Sequence, residues 1–325
     1  MNAAVVESFD RPPRYTTFAD PVPAEGEVLI DVLAAGLHPI VRALAKGAHY
    51  GSTGQLPFIP GVDGVGRVRS GGPSLATGTR VLFGSLHPPY GTFAETSLSR
   101  IAVCTPVPDA LDDATIAAMM NPGMSAWAAL EHRAQFVAGE SVLILGATGS
   151  AGHMAVQVAR RLGARRIVAA GRNPKALEET QSLGADATIS LQQDGGTLGA
   201  AFRAEMANKI DVVLDYLWGP PAEALLGAIA QKGLDHDASR IRYVQIGNSA
   251  GPNISLAGAT LRSSGLELLG SGFGSVSMEK IFASLRSILA SAVQRPFQLR
   301  IATAPLRDVE RVWNSPGDAR IVFQP

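Results

Sequence analysis

Residues 140–173, ESVLILGATGSAGHMAVQVARRLGARRIVAAGRN, read as the strand, glycine turn, helix and second strand of a dinucleotide-binding unit. Val142, Leu143, Ile144 and Leu145 form the short apolar run that a parallel strand buried on both faces requires. The run ends at Gly146. Ala147-Thr148-Gly149-Ser150-Ala151-Gly152 then follows the G-x-G-x-x-G spacing, with alanine in the first slot. Gly149 would let the backbone approach a pyrophosphate, and Gly152 would let the helix pack closely on the strand. The helix N-terminus would offer free N–H groups and the positive end of a dipole to the phosphates. All six residues from Ala147 to Gly152 are therefore expected cofactor contacts.

The end of the second strand decides which dinucleotide is expected. An NAD-binding unit places Asp or Glu there to hold the ribose 2′-hydroxyl. This chain has Gly171-Arg172-Asn173, with Lys175 close behind. A carboxylate would repel a 2′-phosphate, whereas Arg172 can make a forked, charge-assisted contact with one. The expected cofactor is NADPH, with Gly171, Arg172, Asn173 and Lys175 at its phosphate end.

Composition narrows the rest. The 325 residues are enough for two domains, and 46% hydrophobic with 17% charged residues fits an ordered soluble protein. Lys plus Arg equal Asp plus Glu at 28 each, so no overall field favours nucleic acid or an anionic membrane. Arg160, Arg161, Arg165 and Arg166 close a helix and read as structural. The opening MNAAVVESFD lacks a basic n-region, and no apolar run approaches the roughly 20 residues of a membrane span. A single cysteine, Cys104, excludes an intrachain disulfide and fits a reducing compartment. The expected location is the cytoplasm.

Along the chain, short strand-like runs punctuated by Gly and Pro lie at 27–36, 61–69, 79–84 and 91–103, suggesting a compact, mostly β domain. From Asp112 the pattern becomes helical, with ATIAAMM and SAWAALEHRAQF leading to the glycine turn. After Arg172 come the helix NPKALEETQSLGA, the strand IDVVLDYL, the helix PPAEALLGAIAQKG, and the strands IRYVQIG and LELLGSGFG. The alternation implies parallel βαβ units, hence an α/β fold with a doubly wound sheet. A longer helix, MEKIFASLRSILASAVQ, a short helix around Leu306 to Trp313 and the strand ARIVF finish the chain. The expected domains are 1–120 with 271–325, and an inserted nucleotide domain, 121–270.

The segments PAEGEVLIDVLAAGLHP, LPFIPGVDGVGRV, YGTFAE, the glycine unit, PLRDVERVW and RIVFQP resemble, nearly end to end, the medium-chain dehydrogenase/reductase superfamily, and within it the zinc-independent quinone oxidoreductase branch. The resemblance implies a GroES-like β domain followed by a Rossmann domain, and a homodimer. Zinc-dependent members would carry a ligating Cys after the AAG turn, a Gly-His-Glu and a lobe of four cysteines. Here His38-Pro39 follows the turn, Gly61-Val62-Asp63 replaces Gly-His-Glu, and there is one cysteine. Neither a three-ligand catalytic nor a four-ligand structural zinc set can be assembled from that spacing, and scattered His38, His49 and His87 are poor substitutes. No metal is expected.

Hydride transfer to a quinone or an α,β-unsaturated carbonyl needs no metal: the protein has to hold the acceptor in a near-attack geometry and offer a hydrogen-bond donor to the oxygen that gains charge. In the quinone reductase branch an Asn-Pro at the zinc-cysteine place, a Tyr about ten residues on and a Thr before the nucleotide domain line the nicotinamide pocket. By resemblance these correspond to His38, the His49-Tyr50 pair and Ser125. Tyr50 is the expected donor to the carbonyl oxygen. His38 keeps a donor and an acceptor where the branch has Asn. Asn121, in MMNPGMSAW, is a candidate for the nicotinamide carboxamide, and Asn-Pro is equally an ordinary turn signal. Because ligands of open α/β sheets sit beyond the carboxyl ends of the strands, Tyr216, Gly247, Asn248, Gly272 and Phe273 are further cofactor candidates. Asp215 could as well be a helix cap or solvated.

The expected activity is thus an NADPH-dependent quinone or enone reductase. An enoyl-thioester reductase is the nearest alternative, although no basic cluster for a carrier phosphate lines the first domain. An NADPH-binding sensor without significant turnover is the alternative from another class. A short-chain dehydrogenase would need a Tyr-x-x-x-Lys pair, which none of the five tyrosines makes.

Overall fold

The computed structural model describes residues 1–70, 74–85, 88–231 and 239–325. In chain order it begins with strands β1 (Asn2–Val5), β2 (Arg14–Thr17) and β3 (Glu27–Gly36), helix α1 (Pro39–Ala45), then β4 (Asp63–Ser70), β5 (Arg80–Gly84), β6 (Thr96–Arg100) and β7 (Thr105–Pro106). Helix α2 (Asp113–Ala128) leads to β8 (Ser141–Leu145), α3 (Ser150–Arg161), β9 (Arg166–Gly171), α4 (Pro174–Leu183), β10 (Ala187–Ser190) and α5 (Gly195–Ala207). Next come β11 (Val212–Asp215), α6 (Gly219–Ile229), β12 (Arg240–Gln245), α7 (Gly258–Arg262), β13 (Gly265–Gly270) and α8 (Met278–Gln294). The chain closes with β14 (Ile301–Pro305), α9 (Val309–Val312) and β15 (Arg320–Gln324).

Two compact units result, Met1–Asn121 with Leu289–Pro325, and Pro122–Ile288. The first is β-rich. Its sheet runs β14-β15-β3-β4-β5-β7, with β6 paired to β3. Strand β3 alternates buried and partly exposed residues, as a strand with one face on a core must. The C-terminal segment belongs here because its aromatics fill this core. Phe93 meets Trp313 and Phe323 edge-on, with ring centroids 6.3 and 5.1 Å apart.

The second unit is a doubly wound sheet, β10-β9-β8-β11-β12-β13, parallel throughout. Strand order reverses between β8 and β11, the place where such sheets open a crevice for a ligand. Ser141–Leu145 is buried at every residue, which explains why β8 reads as an unbroken apolar run.

Three expectations are corrected. The return to the first unit comes at Leu289 and not at 271, because Val276 and Ile281 are buried together with Ala128, and Phe273, Leu285 and Met124 pack on them. The Asn121-Pro122 pair is not a turn: α2 runs through it, sustained by buried Ile116–Met120 before it and Ala126–Leu130 after it. Strand β10 and helix α5, absent from the reading of the sequence, lie between α4 and β11.

Candidate cofactor and active site

The glycine turn shows which glycines the chain needs for itself. Gly146, at φ 86°, occupies the left-handed region, and its N–H donates to Ala170 O at 2.9 Å. A Cβ on Gly152 would overlap Gly146 O and Ala147 Cα, so only glycine lets α3 approach β8. A Cβ on Gly171 would overlap the Thr148 side chain, so that glycine lets Thr148 lie across the end of β9. Gly149 is different. It caps α3 with an ordinary φ of −85°, and a Cβ there would meet only Gly146 O at 3.7 Å. Nothing in the protein's own packing requires glycine at 149, whereas a pyrophosphate lying on the backbone would. Being glycine, the N-cap residue of α3 brings no side chain of its own to the helix N-terminus.

Arg172 and Lys175 are exposed, and neither makes a hydrogen bond or ion pair with a described residue. The neighbouring cations are committed: Arg160 lies 2.5 Å from Asp186, Arg166 2.8 Å from Glu205 and Arg165 3.9 Å from Asp211. Asn173 has a structural duty, since its Oδ1 accepts the Ala176 N–H at 3.2 Å and caps α4, with Pro174 in the first turn. Of the residues expected at the 2′-phosphate, Arg172 and Lys175 have charge to offer.

At the ends of β11 and β12, Asp215 organises the loops. Its Oδ1 accepts the N–H groups of Leu217 at 2.7 Å and Trp218 at 3.0 Å, and Oδ2 accepts the Tyr243 hydroxyl at 2.7 Å. Its carbonyl accepts the N–H groups of Ile246 and Gly247. Gly247 then packs so near Tyr216 that a Cβ would lie 2.7 Å from Tyr216 O, and Ser249 Oγ donates to the same oxygen at 3.1 Å. Tyr216, Gly247 and Asn248 are thus brought together. The Tyr216 hydroxyl is buried beside that of Ser125, without a well-aligned hydrogen bond, and burial raises its pKa far above the usual phenol value. Beyond β13, Gly272 donates its N–H to Ser275 Oγ at 2.7 Å, and Phe273 packs on the Ala128, Val276 and Ile281 cluster.

Burial raises the Asp215 carboxyl above its ordinary value of 3.8, opposed by the Trp218, Tyr243 and Leu217 donors. The folded chain therefore holds this proton more tightly than the unfolded one, and the contribution of Asp215 to stability falls as pH rises from about 3.8 through the raised value. Asp215→Asn keeps an acceptor and removes the buried charge, so its melting temperature is expected to gain on that of wild type as pH rises through this window. Asp215→Ala strands the Tyr243 hydroxyl and two amides and should cost about 2–4 kcal/mol. A difference between wild type and Asp215→Asn that does not change with pH in thermal melts would contradict this account.

In the first unit, His38 is fully buried. Its Nε2 lies 3.2 Å from Asp63 Oδ1 without a well-formed hydrogen bond, and the Asp63 side chain is 20% exposed. Gly36 makes the room, because a Cβ there would sit 2.5 Å from both Ala117 O and His38 Nε2. Burial pushes the His38 pKa below its ordinary value against the pull of Asp63, so the ring is neutral near pH 7. Arg320 lies close by. It donates to Leu37 O at 2.8 Å, and burial first, then Arg42, brings its pKa down to about 10. Tyr50 stands in a contrasting setting, 73% exposed on the loop after α1, with its ring 4.1 Å from that of His49. Asn121 is partly exposed within α2. Arg320 and the pairing of Asp63 with His38 were not read from the sequence, because strand alternation shows which positions are buried but not which charged groups meet there.

These residues do not fit a catalytic zinc. His38 stands at the cysteine place with both ring nitrogens buried, Val62 has no donor atom, and no three His, Cys, Asp or Glu side chains among the described residues are grouped to hold a metal. His87 lies outside the described residues.

Comparison with known proteins accords with this geometry. The family profile for the alcohol dehydrogenase GroES-like domain matches residues 24–109, and that for zinc-binding dehydrogenases matches 151–290. A probable NADPH-dependent quinone reductase of Emericella nidulans is 30% identical, with all of this chain and all of that protein covered. The quinone oxidoreductase of Sus scrofa is 30% identical over 72% of this chain and 68% of its own. The quinone oxidoreductase of Thermus thermophilus, solved also in complex with NADPH, superposes with a TM-score of 0.80 at 26% identity over all of both chains. With a glycine turn shaped for a dinucleotide, a β-rich unit built around its own C-terminal segment and full-length likeness to quinone reductases, the chain belongs to the medium-chain dehydrogenase/reductase superfamily, in its quinone oxidoreductase branch.

Proposed function

We propose that this chain is a zinc-independent, NADPH-dependent reductase that passes hydride to a quinone or an α,β-unsaturated carbonyl, working in the cytoplasm as a homodimer. The observation that carries the cofactor assignment is the pairing of an open glycine at 149 with two exposed cations past the end of β9, Arg172 and Lys175, that have no partner among the described residues. Relatives named as NADPH-dependent quinone reductase or quinone oxidoreductase support both the cofactor and the acceptor. The homodimer rests on family analogy and is checked by light scattering.

Bound NADPH would supply the hydride; the chain's task is then to hold the acceptor and stabilise the oxygen that gains charge. No donor set grouped to hold a zinc ion is found among the described residues, and an acceptor that reduces to a hydroquinone or through an enolate suits these residues better than an ordinary alcohol, whose alkoxide would need a Lewis acid. Tyr50 is the donor to that oxygen. It carries a phenol hydroxyl on an exposed loop, whereas His38 is buried beside Asp63 and serves as an uncharged support. Ser125, Tyr216, Gly247, Asn248, Gly272 and Phe273 accommodate the nicotinamide half, with Asn121 as the carboxamide partner.

The test is NADPH oxidation with an ortho-quinone and with a simple enone, run beside NADH and with a metal chelator present. Chelator-insensitive, NADPH-selective turnover is expected, and the better acceptor identifies the substrate class. Saturable binding without turnover would favour an NADPH sensor instead. Tyr50→Phe should lower kcat by about tenfold or more while leaving the KM for NADPH in place. Unchanged kcat would remove Tyr50 from the mechanism.

A further inference from the structure

After α2 the helix widens into a single π-turn, Ala129–Arg133, closed by the Ala134 N–H donating five residues back to Ala129 O at 2.8 Å. A π-turn is wider than an α-turn by one residue, and such turns recur at functional sites. Here two side chains of the turn itself, His132 and Arg133, reach the loop between β13 and α8. Arg133 Nε donates to Gly270 O at 2.6 Å and its Nη1 to Ser275 O at 3.2 Å, so one guanidinium spans the loop from the last residue of β13 to Ser275. His132 Nε2 lies 3.2 Å from Lys280 O, in the first turn of α8.

The loop needs such a brace. Gly272 and Gly274, the latter at φ 94°, flank Phe273, and glycine has the most conformational freedom to lose. Its internal bonds, Gly272 N–H to Ser275 Oγ at 2.7 Å and Ser275 N–H to Gly272 O at 3.1 Å, close the turn without fixing it to the sheet. Ser271 N–H to Gln245 O at 2.9 Å ties one end to β12, and Arg133 joins both ends. Arginine suits the place because its planar fork meets two carbonyls at once, which a lysine ammonium on a flexible stem does less well.

We propose that Arg133 is a positioning residue for the nicotinamide half of the cofactor, holding Gly272 and Phe273 in binding geometry through its bridge from Gly270 O to Ser275 O. Its role is exerted through the loop, by way of those two carbonyls. The proposal rests on the assignment of Gly272 and Phe273 to that half.

Calorimetric titration with NADPH and with adenosine 2′,5′-bisphosphate, which lacks the nicotinamide, separates the outcomes. In Arg133→Ala the Kd for NADPH should rise by about tenfold and that for the bisphosphate stay within about twofold, because only the nicotinamide side is loosened. Arg133→Lys should recover part of the loss. Ser275→Ala, which frees the Gly272 N–H without touching the helix, should weaken NADPH by about threefold with the same selectivity. Equal weakening of both ligands, or of neither, in the Arg133 variants overturns the positioning role alone. Failure of the wild-type chain to bind either ligand overturns the NADPH assignment and this proposal with it.

Discussion

Gly149→Val is expected to leave the fold in place and raise the Kd for NADPH by about a hundredfold or more, while Gly152→Ala, a smaller change three residues on, should cost the fold itself. The contrast follows from what a Cβ would meet. At Gly152 it runs into Gly146 O and Ala147 Cα, backbone atoms that cannot move aside without shifting α3 away from β8. A penalty of about 3 kcal/mol or more is expected there, at the upper end for overpacking because the obstacle is not a side chain. At Gly149 the backbone is already in a region open to any residue, and an added Cβ meets only Gly146 O, at an ordinary contact distance of 3.7 Å. The loss of a good N-cap residue costs about 1 kcal/mol, a few degrees in melting temperature. The added side chain would fill the space that a pyrophosphate needs to reach the helix N-terminus. Thermal melts and NADPH titration of the two variants decide the matter. A Gly149→Val protein that binds NADPH like wild type would mean that the turn is a packing device only.

This contrast also shows how far the sequence could be read. The apolar run Val142–Leu145 and the spacing of the glycines sufficed for β8, the turn and α3, because a buried parallel strand and a tight helix approach each restrict residue types strongly. The periodicity of Ile281, Leu285, Ile288 and Leu289 gave α8 its full span, Met278–Gln294. Where local rules were weak, the reading failed. Strand β10 has four residues, and α5 opens on Gly195 and Gly196, poor helix formers held by the Asp194 side chain, which accepts from Gly196 and Thr197. Proline in Asn121-Pro122 signals a break, yet the buried residues on either side keep α2 continuous.

The candidate site divides along the same line. The steric duty of Gly152 was legible from spacing, whereas that of Gly171, expected as a cofactor contact, shows only in its closeness to Thr148. Residues whose duty depends on which side chains meet were not legible: the burial of His38 against Asp63 and the reach of Arg133 from a π-turn arise from tertiary packing. Neither has a pattern in the chain that would set it apart from a solvated or turn residue, whereas the Asn173 cap, local and followed by Pro174, had a signal that the expected phosphate contact overshadowed.

Arg172 carries the second large effect. Arg172→Ala should raise the KM for NADPH by ten- to a hundredfold and leave that for NADH nearly unchanged, the range expected for losing a charge-assisted contact worth about 1.5–3 kcal/mol. Its side chain is exposed and has no described partner to release, so the substitution removes a ligand contact without opening a hole or stranding a carboxylate. The same exposure makes the contact subject to screening, and selectivity for NADPH should weaken as ionic strength rises past about 0.1 M, where the Debye length is about 10 Å. Asn173→Ala is the internal contrast. With its Oδ1 occupied by the Ala176 N–H, it should lower stability by about 1 kcal/mol and leave the NADPH-to-NADH ratio alone. Arg172→Asp goes further, because a carboxylate past the end of β9 repels the 2′-phosphate and can accept from a free 2′-hydroxyl, so the preference should invert toward NADH. Steady-state kinetics with both cofactors test all three variants. An Arg172→Ala enzyme that keeps its full preference for NADPH would move the phosphate contact to Lys175 or to another group, and the cofactor assignment would then have to stand on the glycine turn alone.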